Sequence, residues 1–435
     1  MRSLCRIVIA IVAIPFLLAG EEETVLKPYD GLSRQGVDRS TLRGKVMCGY
    51  QGWFSCEGDG TGLGWVHWSK NRRKPFGPGN ATVDLWPDMS EYQTSEQYTT
   101  DFKLADGSAA TVFSSTNRDT VLRHFKWMEE YGIDGAFVQR FANGLENPEV
   151  KAQKDVVLSH AREGANRFGR AYAVMYDLSG LPSGGTARVW EDWQQLRKEM
   201  DITGDPAYLH HNGRPLVSVW GVGFDDGDKP RAYSIAECRE LVENLKADGC
   251  SVMLGVATGW RDLDRDALSD PELHEVIKLA DVVSPWTIGR YRDEASLAHH
   301  AEKYLNPDVK WCRENGVDYF PVVFPGFSWH NLYGKPLDEI PREGGQFLWS
   351  QMVAAKRAGA RMIYVAMFDE VDEGTAIFKC TNNPPVGEGV NFLSYQGRDP
   401  DHYLRLTGTG RLMLRGKIPV TDEMPKKLLK PGEKP

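Results

Sequence analysis

The residues Arg361-Met-Ile-Tyr-Val-Ala-Met-Phe368 form an apolar run that is followed at once by Asp369-Glu370-Val371-Asp372-Glu373-Gly374-Thr375. An apolar run of this length is typical of a buried strand. Four carboxylates so close together repel one another, and a folded protein tolerates them where a substrate, a proton or a cation lies among them. The stretch therefore predicts a buried strand that ends at an active-site loop.

Seven further apolar runs of strand length precede this one, and segments of helical period lie between them. The predicted strands are residues 45–50, 135–139, 171–176, 215–220, 251–256, 281–285, 319–324 and 361–368, and the predicted helices are residues 117–131, 148–168, 186–202, 233–248, 271–279, 297–315 and 342–358. Continuous apolar strands that alternate with helices pair in parallel with helices outside. We therefore expect an α/β fold, a (β/α)₈ TIM barrel, with an open doubly wound sheet as the alternative.

The barrel is expected to span residues 45–390, with a long insert at 51–116 after the first strand. Residues 21–44 are then an N-terminal extension and residues 391–435 a C-terminal tail with a frayed, charged end. The insert alternates turn-forming glycines with tryptophans and is far longer than an ordinary βα loop. Neither the insert nor the tail has enough periodic apolar sequence to form a second domain.

The first twenty residues predict export. Arg2 and Arg6 lie beside an apolar run at residues 7–19, a pattern typical of a secretory signal peptide. The run is shorter than the roughly 20 residues that span a bilayer, so we expect no stable membrane span after signal removal. The predicted location is secreted or periplasmic.

The composition excludes one large class of partner. The 435 residues have a formal net charge of −8 and are 41% hydrophobic, which describes a globular protein without the basic surface that nucleic acids select. The six cysteines after residue 20 match no metal-binding spacing, and no cofactor fingerprint appears. We therefore predict no nucleic-acid partner, no metal and no cofactor.

The cysteines of an exported chain can form disulfides, and two pairs are close in sequence. These are Cys48 with Cys56 and Cys238 with Cys250. A lone cysteine inside an apolar strand more often behaves as a small hydrophobe, which is the alternative for Cys48.

Aromatic and polar side chains follow the predicted strands, where a barrel places its active site. Aromatic faces stack on the C–H face of a pyranose ring, while amide and carboxylate groups pair with its hydroxyls. The alternative is that each tryptophan is a core residue. The residues predicted to bind an oligo- or polysaccharide substrate are Tyr50, Trp53, Gln139, Asp177, Trp220, Trp286, Trp329, His330 and Asp369.

Glu370 and Glu373 are the predicted catalytic pair, because glycoside hydrolysis needs one carboxylic acid and a second carboxylate. If the loop turns helically, a spacing of i to i+3 places both on one side, and their repulsion raises one pKa. Asp369 would hold a neighbouring group, and Asp372 would face solvent or cap the turn at Gly374. A solvated acidic loop and a hard-cation site without the EF-hand spacing remain alternatives.

The run from Phe368 to Thr375 resembles the strand-eight motif of the endo-acting α-mannosidases of glycoside hydrolase family 99 and of 71/99-like proteins. Their Asn-Glu-Trp-His-Glu-Gly-Thr run carries both catalytic glutamates. Residues 46–53, 131–135 and 324–327 are similar to other strand regions of that family. The resemblance covers residues 45–380.

This resemblance implies a retaining mechanism assisted by the substrate. Glu370 would take the proton of the 2-hydroxyl, whose oxygen attacks the anomeric carbon, and Glu373 would be the general acid and base. The motif departs from the family at Asp369, Val371 and Asp372, which leaves the sugar open. The alternatives are an α-glucanase of related type, a catalytically inactive carbohydrate-binding barrel and a metal-dependent hydrolase. Linkage, endo or exo action and oligomeric state also stay open.

Overall fold

The computed structural model describes residues 25–36, 38–227 and 230–433 of the chain. The predicted signal peptide lies outside these residues. No helix in the described ranges is both long and apolar enough to cross a membrane.

Eight parallel strands form the centre of the molecule, as predicted. Each consists almost wholly of buried residues, because helices cover the outside of the sheet and side chains fill its inside. The strands are β1 Val46–Tyr50, β2 Gly135–Phe141, β3 Ala171–Asp177, β4 Arg214–Val222, β5 Ser251–Val256, β6 Val282–Pro285, β7 in two segments, Asp318–Tyr319 and Val322–Val323, and β8 Ile363–Val365.

The strands follow one another around a closed ring. β1 pairs with β2 on one side and with β8 on the other. The ring closes at β7, whose first segment pairs with β6 and whose second pairs with β8. The fold is therefore the predicted (β/α)₈ barrel, and the open sheet is excluded.

The interior of the barrel is packed with large side chains. The rings of Phe137, Phe320 and Tyr364 contact one another across it, with ring centroids 5.7 to 5.9 Å apart. Above them, the Gln139 amide donates to the Tyr364 hydroxyl and contacts the Met175 sulfur. A filled interior leaves only the end of the barrel for a ligand.

Ten helices surround the strands or connect them in the described part of the chain. Four of them begin at a side-chain cap; Asn117, for example, accepts from the backbone N–H groups of Asp119 and Thr120. The helices are α1 Arg118–Glu130, α2 Pro148–Phe168, α3 Thr186–Met200, α4 Ile235–Ala247, α5 Glu272–Leu279, α6 Glu294–His300, α7 Asn306–Asn315, α8 His330–Tyr333, α9 Gln346–Ala358 and α10 His402–Leu414. A π-helical stretch, Ala301–Leu305, joins α6 to α7.

The segment expected to be a tail, residues 391–435, contains α10. This helix packs on α9 and beside β1, the place of an eighth outer helix. Arg411 and Arg415 of α10 both contact Asp134, which also accepts a hydrogen bond from the backbone N–H of Val46. The eighth β/α unit therefore ends beyond residue 390.

The insert, residues 51–116, lies over the C-terminal end of the barrel. It contains the antiparallel hairpin of Tyr98–Lys103 and Ala109–Val112. Backbone N–H groups of Asp84 and Leu85 donate to the Val371 carbonyl, so the insert is joined directly to the acidic loop after β8. Trp65, Trp68 and Trp86 pack against phenylalanines inside the insert, so these three tryptophans are core residues.

All six cysteines of the described ranges are free and buried. The two candidate disulfides, Cys48 with Cys56 and Cys238 with Cys250, are not formed. Cys56 instead donates to the Phe113 carbonyl inside the insert. Each cysteine thus behaves as a small buried side chain.

Candidate active site

The acidic loop turns back on itself directly after β8. The Phe368 N–H donates to the Gly49 carbonyl of β1, which fixes the start of the loop. The N–H groups of Thr375 and Ala376 both donate to the Glu370 carbonyl, which closes the turn. The four carboxyl side chains are thereby placed at the C-terminal mouth of the barrel, where βα loops build the active sites of this fold.

Glu370 is held between two hydrogen-bond donors. The Gln51 side-chain amide donates to Oε1 and the Thr375 hydroxyl donates to Oε2, each at 2.5 Å. Burial and the nearby charges of Glu373 and Asp372 raise the pKa of Glu370 well above its ordinary value, and the two donors oppose this rise. Since both oxygens are supplied with donors, Glu370 is prepared to carry negative charge.

Glu373 is the least buried of the four acids and has no comparable pair of donors. Burial raises the pKa of Glu373 to about 8, repulsion from Asp372 adds to the rise, and the Trp329 indole beside it acts in the opposite direction. Glu370 and Glu373 also repel each other, so the pair titrates as a unit. The pair therefore holds a proton at neutral pH, as an acid beside a base requires.

Asp369 holds the chain directly after β1, at the base of the mouth. Its two oxygens accept from the backbone N–H groups of Gln51 and Gly52 at 2.8 and 2.9 Å. Its side chain is fully buried, and burial raises its pKa to about 7 against those two donors. Asp369 was predicted to bind substrate, whereas the structure makes it a positioning residue for Gln51.

Asp372 is buried and paired, although the sequence predicted solvent exposure or a cap. Its Oδ2 lies 2.9 Å from Nδ1 of His67, which comes from the insert. The His67 ring stacks on Trp53 at 3.8 Å between ring centroids. The insert therefore reaches the acidic loop through this stack, and Trp53 lies at the mouth as predicted.

Four other predicted residues also lie at the mouth. Asp177 and Trp220 are cross-strand partners at the ends of β3 and β4, and the Trp220 ring contacts Trp286 at 5.3 Å. Gln139 donates to the Tyr364 hydroxyl. Burial and the charges of Glu370 and Asp177 raise the pKa of this hydroxyl, so it lies near both carboxyl groups. Gln139, Asp177, Trp220 and Trp286 thus share one opening with Glu370.

Several buried polar atoms at this opening have no partner in the described part of the chain. They are the indole nitrogens of Trp53 and Trp220 and one oxygen of Asp372. Buried polar atoms are normally hydrogen-bonded, so these donors and this acceptor are available to a polar ligand. A sugar carries both kinds of partner.

Two predicted residues do not reach the opening. The Tyr50 hydroxyl contacts His124 of α1 at 2.9 Å and the ring is fully buried, so Tyr50 packs outside the barrel. The His330 ring contacts the Lys335 carbonyl and Asn391, on the far side of its own loop. Neither side chain reaches the opening, whereas the indole of Trp329, next to His330 in sequence, lies beside Glu373.

The sequence analysis missed Gln51, Thr375, His67 and Tyr364. Gln51 follows Tyr50 in the sequence. Because the side chains of a strand alternate between its two faces, an outward-facing Tyr50 predicts an inward-facing Gln51. Thr375 was quoted only as part of the motif. His67 carries no local signal, since 305 residues separate it from Asp372.

The described residues contain no group of three or more His, Cys, Asp or Glu side chains arranged to hold a metal ion.

The fold and the site together define a (β/α)₈ barrel with a buried carboxylate pair at the end of its eighth strand. No family model and no curated protein sequence matches the chain. Solved structures do. The GH99 endo-α-mannosidase from Bacteroides thetaiotaomicron has a TM-score of 0.61 at 17% identity, covering 86% of this chain and 99% of that one.

Two further structures are similar. The same bacterium's GH99 endo-α-mannosidase in complex with BIS-TRIS-propane has a TM-score of 0.60 at 16% identity, covering 87% of this chain and 99% of that one. A glycoside hydrolase-like protein has a TM-score of 0.50 at 13% identity, covering 79% and 98%. At these identities the likeness establishes a shared fold, and the activity has to be argued from the site.

Proposed function

We propose that the protein is a retaining glycoside hydrolase that cleaves α-linked glycans, in the manner of an endo-α-mannosidase. The observation that carries this proposal is the pair Glu370 and Glu373, of which one has both oxygens supplied with donors and the other has a pKa raised to about 8. The similarity of the fold to GH99 endo-α-mannosidases supports it.

In the proposed mechanism, the substrate's own 2-hydroxyl is the nucleophile. Glu370 accepts the proton of this hydroxyl, and the freed oxygen attacks the anomeric carbon to form an anhydro sugar. Glu373 gives its proton to the departing glycosidic oxygen. Glu373 next takes a proton from water, whose oxygen attacks the anomeric carbon and opens the anhydro ring. Glu370 returns its proton to the 2-hydroxyl oxygen. The anomeric configuration is therefore retained.

The remaining residues of the mouth bind and orient the sugar. The indole groups of Trp220 and Trp286 offer aromatic faces, and the unpartnered indole nitrogens are donors for hydroxyls. The insert, to which Trp53 belongs, borders the site on one side. The protein acts outside the cytoplasm, a proposal that rests on the sequence of residues 1–20 alone.

The test is a screen of the chain from residue 21 against α-mannans, α-glucans and mixed glycans. We expect reducing sugar to be released from at least one of them. Glu373→Gln should lower kcat by about 10²- to 10⁴-fold while leaving glycan binding in place, because it removes a proton donor without changing shape. Glu314→Gln, at an exposed position on α7, is the matched control and should retain full activity.

Two further readouts separate the mechanism from its alternatives. The first product should have the α configuration by NMR, and a substrate whose 2-hydroxyl is methylated should bind but not react. Release of reducing sugar from α-glucans alone would identify the protein as an α-glucanase. Full activity in the presence of a chelator would exclude a metal-dependent hydrolase. If the wild type and Glu373→Gln both bind a glycan and neither releases reducing sugar from any of them, the proposal is overturned in favour of an inactive carbohydrate-binding barrel.

A further inference from the structure

A cavity of about 400 Å³ opens beside the candidate active site, between the insert and the loops that follow β2 and β3. Its walls include Trp53, His67, Arg72, Phe141, Asn143 and Lys154. Trp53 and His67 are the stacked pair that contacts the acidic loop through Asp372. The cavity is therefore the place next to the catalytic carboxyls where a neighbouring sugar of a glycan would lie.

The lining of this cavity carries positive charge and no carboxylate. It includes Lys154 and Arg72, and no Asp or Glu. This is unusual for a chain with 60 acidic and 52 basic residues. A cavity with such walls favours an anion over a neutral or cationic group.

Lys154 is the cation inside the cavity. Its Nζ lies 5.4 Å from the centre of the Phe141 ring, and within the described part of the chain it has no hydrogen bond to a carboxylate. The nearby Asp155 and Asp192 are already bound by Arg140, at 2.9 and 2.5 Å. Burial lowers the pKa of Lys154 to about 8, against the opposing charge of nearby Asp177, so the amine is still mostly charged at neutral pH and forms no direct ion pair with a described residue.

A second cluster of cations lies at the rim of the cavity. The insert carries Lys70-Asn71-Arg72-Arg73-Lys74, whose side chains are exposed, and none of its four cations forms an ion pair with a described residue. The loop is nevertheless ordered, since the Arg72 carbonyl accepts from the N–H of Trp65 at 2.8 Å and the Lys70 N–H donates to the Asn80 carbonyl. Through Arg72, which lines the cavity, this unpaired cluster adds positive charge on the solvent side, and positive charge attracts an anionic ligand.

We propose that the cavity binds an anionic group on the sugar next to the cleaved bond, so that the natural substrate is an acidic α-glycan that carries carboxylate or sulfate groups. Lys154 contacts the anionic group, and Arg72 at the rim attracts it and contacts it from the solvent side. Trp53 and Phe141, whose rings contact each other, form the apolar wall beside the sugar that carries it. The identity of the substrate rests on the proposed function, whereas the binding of the anionic group does not.

Binding is measured first, on Glu373→Gln, so that turnover plays no part. The probes are α-mannan oligosaccharides in three forms: unmodified, sulfated, and oxidised to carboxylates at C6. We expect one anionic form to bind about tenfold or more tightly than the neutral form, with an affinity that falls as salt is added, because charge-assisted contacts are the strong ones. The form that binds tighter distinguishes sulfate from carboxylate.

Variants locate the effect. Lys154→Met and Arg72→Gln should each remove most of the preference for the anionic form, and Lys154→Arg should keep it because the charge remains. Lys310→Gln, on an exposed face of α7, is the control and should bind like the parent. Arg72 is exposed, so its variant tests the proposal even if Lys154→Met fails to fold.

The outcomes keep the two proposals apart. Equal or tighter binding of the neutral form, with normal cleavage of neutral glycans, would overturn the anionic substrate and leave the glycosidase intact. Anion preference that depends on Lys154, with no cleavage of any form by the wild type, would uphold the anion site and overturn the glycosidase.

Discussion

Glu370 and Glu373 belong to one short loop and have opposite surroundings. Donors from Gln51 and Thr375 reach both oxygens of Glu370, whereas Glu373 has only the Trp329 indole beside it. Two like groups in unlike surroundings are how a protein separates an acid from a base. The donors to Glu370 come from the residue after β1 and from the loop itself, so the proposed roles of the two acids depend on neighbours that do not react.

Gln51→Ala removes one donor from Glu370 and is expected to lower kcat by about 10-fold or more, since a hydrogen bond to a charged group contributes about 1.5–3 kcal/mol. Loss of the donor destabilises the carboxylate, which raises its pKa further. The acidic limb of the profile of kcat/KM against pH should therefore move to higher pH. Steady-state kinetics across pH measures both effects.

The control is Gln195→Ala, which removes a Gln-to-Glu hydrogen bond of 3.1 Å on the surface of α3. It should change neither kcat nor the profile. An unshifted acidic limb in Gln51→Ala would mean that Glu370 is not the group that must be ionised.

Helix α10 shows what a sequence pattern does not reveal about an element. The buried face of α10 contains Gly408 and Gly410. A Cβ at Gly408 would lie 2.0 Å from the Tyr131 carbonyl, and one at Gly410 would lie 2.1 Å from the Met352 sulfur. Glycine is needed for this close approach. It also lowers helix propensity and interrupts the apolar pattern by which a helix is recognised in the sequence.

The eight strands were predictable because each is a continuous apolar run with burial on both faces. The glutamate pair was predictable because four acids follow one such run. The pairing of His67 with Asp372 was not, because it depends on how the insert folds over the barrel. Long-range contacts of this kind leave no local periodicity to read.

Asp134 joins α10 to the barrel, so its removal is expected to lower the stability of the protein. It is fully buried and accepts from Arg411, Arg415 and the N–H of Val46. Asp134→Ala leaves these donors unpaired and should lower the free energy of unfolding by about 3–5 kcal/mol. Equilibrium unfolding in urea measures the change.

Asp399→Ala is the matched control, because Asp399 contacts Arg405 at 3.2 Å with its side chain 76% exposed. An exposed ion pair contributes little, so its loss should cost at most about 1 kcal/mol. A cost for Asp134→Ala as small as that of the control would show that α10 is not held at this point.

For the whole molecule, the raised carboxyl pKa values predict how stability depends on pH. Burial raises the pKa of Asp308 and Asp369 to about 7 and that of Glu373 to about 8, against ordinary values near 4. Between pH 6.5 and 8 the folded state therefore holds protons that the unfolded state has released. Stability must fall as pH rises through this range, by about 1 kcal/mol per pH unit for each group that titrates.

Other buried groups oppose this fall in part. Burial lowers the pKa of His124 to about 3 and of His300 to about 4, so each adds stability as pH rises through about 6.5, where the unfolded imidazole releases its proton. Lys154, whose pKa burial lowers to about 8, adds stability as pH rises through about 8. The fall from the three carboxyl groups is larger and sets the sign. Urea midpoints at pH 6.5 and 8 measure the slope, which should be shallower in Glu373→Gln. A wild type that is more stable at pH 8 would contradict the prediction.

The ring of strands closes between the two ends of the chain. β1 pairs with β8, and 318 residues separate Gln51 from Asp369, its hydrogen-bond partner. During synthesis, β1 has no second neighbour until β8 has been made, and Asp134 has no cations from α10 until the last helix follows. Gln51 and the acidic loop can therefore meet only after β8 has been made, so we expect a polypeptide truncated before Asp369 to lack the proposed activity even when most of its β/α units are present.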